Sequence, residues 1–286
     1  MSAFAEVPFE KYHGTGNDFL VIDAEVYVPD RRGLAARECD RETGVGADGI
    51  LFLALEPGYN PPRVIMTLVQ PDGSTAPMCG NGARCAARWA MERTGSDEVM
   101  IDTQAGTRYG FRSGDRIGIE MGEPTFESRA IPMTADQPWI DDPIAGLEVT
   151  VVNTGVPHAV AFVDDVDDYD LEAVAKPVRH AEVFPLGTNV NLASPDGDGF
   201  RQRTFERGVE GETKACGTGA VAIAAAARRV GLLDPDAGTA EPIPISPPGG
   251  DLEVAFEDGT ATLLGPVEFE FDGEVETTHF SSFTDR

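Results

Sequence analysis

"MCGNGARCAARWAMERTG" runs from Met78 to Gly95 and "ACGTGAVAIAAAARRVGLL" from Ala215 to Leu233, so the phrase Cys-Gly-x-Gly-Ala before a helix-like run is written twice in one chain. Aligning the two phrases brings their surroundings into register. Asp72–Ala83 (DGSTAPMCGNGA) faces Val209–Ala220 (VEGETKACGTGA). Upstream, His13–Asp23 (HGTGNDFLVID) faces Asn153–Asp165 (NTGVPHAVAFVDD), each a Gly-containing turn running into an apolar strand. Downstream, Ala105–Pro124 faces Pro248–Pro266, each reading as strand, Asp-containing turn, strand, Gly and Pro. Three matches in the same order imply a duplication into two pseudo-symmetric halves.

Within each half, runs such as ILFLAL, VIMTLV, VTVV, AVAFV and RIGIEM have strand length and composition and are bounded by Gly, Pro, Asp and Asn. The exception follows each cysteine. Residues 219–230 (GAVAIAAAARRV) are small and apolar on every side until two arginines, and a helix apolar all round must be buried all round. Its counterpart, GARCAARWAMERTG, is less uniformly apolar because of Arg84 and Arg88. The expected fold is therefore α+β: two halves, each a mostly antiparallel or mixed sheet wrapped around a central buried helix, with an active site in the cleft between them. The division expected is 1–128 for the half with the Cys79 helix and 129–266 for the half with the Cys216 helix, a final strand near 267–286 packing back onto the first. The irregular stretch Glu127–Glu148 reads as the crossover, and the Pro-rich AEPIPISPPGG as loop and edge strand.

Composition narrows the function classes. With 22 basic against 49 acidic residues the net charge is −27, dispersed along the chain, so a phosphate backbone would be repelled and no nucleic-acid partner is expected. Lysines are confined to Lys11, Lys176 and Lys214, and a dispersed acidic excess suits a salt-rich cytoplasm, where screening removes self-repulsion. No apolar stretch reaches the roughly 20 residues of a membrane span, and the first residues lack a targeting pattern, so a cytoplasmic protein without membrane contact is expected. The four cysteines, at 39, 79, 85 and 216, form neither a disulfide framework nor a zinc spacing.

In Cys-Gly-x-Gly before a helix, the cysteine occupies the cap and the glycines let a ligand approach the backbone. Free N–H groups and the positive helix end face that ligand and lower a thiol pKa from its reference of about 8.5. Either cysteine alone would read as a small cap or half of a disulfide. Two in symmetric positions describe opposed acid/base groups around a carboxylate, the arrangement for stereoinversion at an α-carbon without a cofactor or metal. Cys39 and Cys85 read as packing thiols, His158 by itself as a core or loop histidine, and Glu206 with Arg207 as a surface pair.

At these residues the sequence resembles the diaminopimelate epimerases. HGTGNDF, DGSTAPMCGNGARC, MGEPTF, TGVPH, FPLGTNVN and FERGVEGETKACGTGA are similar to that family's motifs, in its order, over nearly the whole chain. The resemblance implies the two-half fold and cofactor-independent interconversion of LL- and meso-diaminopimelate in lysine synthesis. It implies Cys79 and Cys216 as the acid/base pair, with Gly80, Asn81, Gly217 and Thr218 as the amides holding the reacting carboxylate. His158 and Glu206 match residues beside the reacting amine and thiols. Asn17, Asn189 and Arg207 match the group that grips the distal end, joined by Gln70. Three positions depart from the family pattern: Gln70 and Val156 stand where Asn is common, and Gly49 where Gln is frequent. Gln70 still offers an amide donor; Val156 does not. A homodimer is compatible with the resemblance. Two other readings stay open: a proline or hydroxyproline racemase of the same fold, and a thiol-redox or carboxylate-binding protein without turnover.

Overall fold

The computed structural model describes residues 4–278. It falls into two compact units, one made of the chain up to Ile117 together with the chain from Val267 onward, the other of Gly118–Pro266. The first contains β1 (Phe4–Gly14), β2 (Asn17–Asp23), α1 (Arg31–Glu38), β3 (Gly49–Glu56), β4 (Arg63–Val69), β5 (Thr75–Ala76), α2 (Gly80–Thr94), β6 (Glu98–Thr103) and β7 (Gly106–Ser113). After β8 (Arg116–Gly122), which spans the division, the second contains β9 (Asp142–Ile144), β10 (Leu147–Asn153), β11 (Pro157–Phe162), α3 (Leu171–Arg179), β12 (Asn189–Asp196), β13 (Gly199–Glu206), β14 (Gly211–Thr213), α4 (Gly217–Val230), β15 (Ile243–Ser246), β16 (Leu252–Glu257) and β17 (Thr260–Gly265). The last strand, β18 (Glu268–Thr278), pairs antiparallel with β1. Residues 279–286 of the expected final strand lie outside the described residues.

The duplication is present strand by strand. In the first unit β1, β2, β3, β4, β6 and β7 lie side by side, paired antiparallel, parallel, antiparallel, parallel, antiparallel. In the second, β10, β11, β12, β13, β15 and β16 repeat that alternation. Parallel neighbours need a crossover, and each of the four crossovers carries a helix: α1 and α3 at the first parallel pair of each unit, α2 and α4 at the second.

The two helices of a unit take opposite faces of its sheet, and strand alternation shows it. Ile50 and Phe52 pack with Leu34 and Ala35 of α1, while Leu51 between them lies against the start of α2. Val190 and Leu192 pack with Leu171, Ala175 and Val178 of α3, while Asn191 between them meets the start of α4. The cysteine-headed helices are the enclosed ones. Residues 219–227 of α4 are all buried, against β10, β11, β12, β13, β15, β16 and β17. Both end on a left-handed glycine, Gly95 (φ 69°) and Gly231 (φ 80°), a conformation that side-chain-bearing residues reach only with strain.

Three local expectations change. The units divide at Ile117 and Gly118 rather than at 128 and 129; Thr125 exchanges both backbone hydrogen bonds with Asn153, at 3.0 and 2.9 Å, which ties the segment after β8 to β10. The Pro-rich segment supplies β15, which is not an edge: it lies between β13 and β16. Pro244 is accommodated because pairing with β13 involves only Ile245 and Ser246, and its carbonyl fits over Gly199, where an added Cβ would sit 2.0 Å away. The crossover after Glu127 contains the short strand β9. Arg84, one of the two arginines that make α2 less uniformly apolar, is fully enclosed and donates to Thr15 Oγ1 at 2.8 Å; burial lowers its pKa to about 10, so it remains a cation at neutral pH.

Candidate active site

Cys79 and Cys216 are the N-caps of α2 and α4, both with extended backbones (φ −143°, ψ 117° and φ −128°, ψ 104°). An N-cap is half in the helix, so its side chain stands beside amides that have no intrahelical acceptor. Cys79 Sγ accepts from the Gly82 N–H at 3.4 Å. Cys216 Sγ lies 3.4 Å from Thr218 Oγ1. The strands β5 and β14, pairing with β4 and β13, deliver the chain to the two caps in the same way. Cys39 and Cys85, read as packing thiols, are buried, and burial pushes each up to about 12, away from reactivity at neutral pH.

Around Cys79 the first unit gathers Gly80, Asn81 and Asn17. Asn81 Nδ2 donates to Asn17 Oδ1 at 2.5 Å, and Asn17 Nδ2 donates to Asp48 Oδ2 at 3.0 Å. Asp48 is held by Arg41 at 2.8 Å, and Arg41 also binds Asp18, which pairs with Lys11 at 2.9 Å. Burial works to raise the Asp18 carboxyl, but Arg41 and Lys11 hold it well below the usual carboxylate range. Asn17 is thus fixed by an ion network that sequence reasoning missed. Its signal was the acidic pair Asp18, on β2, and Asp48, just before β3, with Lys11 on the neighbouring β1. Gln70 stands apart: its Oε1 accepts from Ser74 Oγ at 2.9 Å within the turn after β4. At Gly49 an added Cβ would lie 2.7 Å from Leu68 Cδ1 and 3.1 Å from the Val69 carbonyl oxygen, so a glutamine there requires the Leu68 side chain to shift.

The second unit gathers the remainder. His158 and Asn189 are register partners on the parallel strands β11 and β12, both buried. His158 Nε2 lies 3.0 Å from Thr218 Oγ1, and Thr154 Oγ1 donates to the Thr218 carbonyl at 3.0 Å, fixing the first turn of α4. Burial pushes the His158 imidazole down to about 3, so it is neutral at physiological pH. Asn189 Oδ1 accepts from the Arg207 backbone N–H at 2.8 Å, and Asn189 Nδ2 donates to the Pro157 carbonyl at 3.2 Å. Glu206 and Arg207 are not a surface pair. The Glu206 carboxyl is raised by burial, offset in part by Thr213, and the Arg207 guanidinium donates to the carbonyls of Leu186 and Gly187 at 3.4 and 3.3 Å.

The duplicated sheet-and-helix fold is shared with solved structures that include a hydroxyproline epimerase. A phenazine biosynthesis protein of the PhzF family from Enterococcus faecalis superposes with a TM-score of 0.66 at 14% identity, covering 95% of this chain and 99% of its own. A hydroxyproline epimerase from Agrobacterium vitis, with bound trans-4-hydroxy-L-proline, gives a TM-score of 0.62 at 14% identity, with 97% and 94% covered. At such identities the likeness defines the fold alone. Sequence goes further. The family model described as diaminopimelate epimerase matches residues 9–127 and 150–270. The diaminopimelate epimerase of Methanocella arvoryzae is 42% identical over 283 residues, covering 95% of this chain and 97% of its own, and that of Archaeoglobus fulgidus 38% over 278 residues, covering 93% and 95%. The chain belongs to the diaminopimelate epimerase family.

Proposed function

We propose that the chain epimerises diaminopimelate, interconverting its LL and meso forms for lysine biosynthesis, with Cys79 and Cys216 as the acid/base pair. The observation that carries the reading is the repeat itself: the same enclosed helix, capped by the same residue type, in both units. One cysteine as thiolate takes the α-proton and becomes a thiol; the other gives its proton to the opposite face and becomes a thiolate, so no net proton is consumed. Amides of Gly80, Asn81, Gly217 and Thr218 stabilise the charge that spreads onto the carboxylate. Neutral His158 and the half-buried Glu206 attend the reacting amine; Asn17, Asn189 and Arg207, with Gln70 at the margin, hold the distal amino-acid end.

The same reading places the protein in the cytoplasm of a salt-adapted cell, working on a small amino acid, and leaves a homodimer as the assembly to test by sedimentation. Cys79→Ala and Cys216→Ala should each abolish epimerisation while far-ultraviolet circular dichroism stays unchanged. Near-normal turnover in either variant would remove the two-base reading. Proline should not be a substrate; robust proline racemisation would move the assignment to the proline racemase type. A reversible disulfide between the two cysteines as the working state, with no exchange of the α-proton, would replace catalysis by redox or binding.

A further inference from the structure

Five side chains of the second unit close a ring of hydrogen bonds that begins at the carbonyl of Cys216 and returns to its sulfur. A carbonyl only accepts, so the Gln202 atom 3.1 Å from the Cys216 oxygen is the amide nitrogen, Nε2. Nε2 also donates to Thr204 Oγ1 at 2.9 Å. Having accepted there, Thr204 sends its own proton to Asn191 Oδ1, 2.9 Å away. Asn191 therefore turns its amino group to His158, and Nδ2 donates to Nδ1 at 2.9 Å. The imidazole proton is left on Nε2, which donates to Thr218 Oγ1 at 3.0 Å. Thr218, accepting there, directs its proton to Cys216 Sγ at 3.4 Å. Asn189 Nδ2 lies 3.5 Å from His158 Nε2, at the outer limit of hydrogen bonding, and has its acceptor in the Pro157 carbonyl.

We infer that Gln202, Thr204 and Asn191 are positioning residues: they fix His158 in the Nε2–H tautomer and so turn the Thr218 hydroxyl toward Cys216, which that donor holds as thiolate. The inference rests on the reading of Cys216 as an acid/base group.

The repeat supplies the comparison. Strand register equates His158, Asn191, Thr204 and Gln202 with Phe19, Leu51, Leu68 and Met66 of the first unit. All four counterparts are apolar and buried. The polar ring is therefore a departure from the duplicated scaffold, made at four positions and only around Cys216. It also carries a local penalty, since Gln202 Oε1 is buried without a partner. Gly219 makes room for it: a Cβ there would come within 2.5 Å of Asn191 Oδ1 and 2.7 Å of Gln202 Nε2. Because burial keeps His158 neutral, with the Arg207 charge acting in the same direction, tautomer rather than charge is the variable the ring controls.

Two measurements test this without using turnover, so a failure to epimerise diaminopimelate and a failure of the ring are separate results. Nitrogen-15 spectra of histidine-labelled wild-type protein at pH 7, assigned by loss of the signal in His158→Gln, should show Nε2 protonated and Nδ1 bare. An Nδ1–H tautomer or an imidazolium would overturn the inference. In the Cys79→Ala background, iodoacetamide should alkylate Cys216 about tenfold more slowly at pH 7 when Thr218→Val removes the hydroxyl, as expected for losing one hydrogen bond to a charged sulfur. Thr218→Ser should restore the rate, and Asn191→Asp, which moves the imidazole proton to Nδ1, should slow it similarly. An unchanged rate in Thr218→Val would contradict the account.

Discussion

His158 shows how one side chain ties chemistry to stability. Its folded pKa of about 3 lies below the unfolded value of about 6.5, so between those values the unfolded chain binds a proton that the folded chain refuses. Stability should fall as pH drops below about 6.5, by about 1.4 kcal/mol per pH unit from this group. Urea unfolding at pH 5 and 6 should show that slope reduced in His158→Gln, whose side chain does not titrate; an identical slope would show that the imidazole is protonated in the folded protein. Arg207 makes the other residue-scale prediction. Arg207→Lys keeps the charge but loses the planar fork that meets a carboxylate bidentately, so kcat/KM for diaminopimelate should drop more than tenfold with the fold intact. A change within twofold would remove Arg207 from distal recognition.

The enclosed helices set the terms at the scale of elements. Gly95 and Gly231 close α2 and α4 in left-handed backbone, and nothing lies within 4 Å of a Cβ added at either. Alanine at each should therefore cost about 1 kcal/mol from backbone strain alone, and equally in the two units. Thermal unfolding of both variants checks it, and a loss at only one would mean that the two helix ends are not equivalent. These helices were legible in the sequence because a run such as AVAIAAAA has no polar face to expose. The duplicated order of strands was legible because its turns carry Gly, Asp and Pro at matching places. Helix α3 was not read: Asp170 caps it and Lys176 pairs with Glu172, but Pro177 interrupts the pattern inside its last turns. The polar ring was equally hidden. Asn189 and Asn191, like Gln202 and Thr204, stand two apart on strands and so share a face, yet only the crossing of β12 and β13 under the start of α4 reveals what they share it with.

For the whole molecule, charge is the governing quantity. Many of the basic side chains are already committed: Lys11 to Asp18, Arg203 to Glu212, Arg201 to Asp165 and Asp167, Arg63 to Glu56 and Asp102. The net −27 therefore resides in carboxylates left over after pairing, and their repulsion acts over a Debye length of about 30 Å at 0.01 M salt but about 3 Å at 1 M. The melting temperature should climb from millimolar to molar potassium chloride. The proposed chemistry needs a cysteine from each unit, so on desalting turnover should fade before circular dichroism does. If both stay constant, the acidity serves solubility alone. No helix among the described residues is long and apolar enough to cross a membrane, and the working partner is a small amino acid. The claim at the centre is that two thiols, not one, handle its proton. The most direct test incubates the purified protein with LL-diaminopimelate in deuterated buffer and follows the α-carbons of substrate and product during the first few per cent of conversion. Two opposed bases predict that newly formed meso product carries deuterium at the inverted centre while remaining LL substrate keeps its proton. Deuterium appearing in the LL pool as fast as in the product, or inversion without any deuterium, would contradict the account.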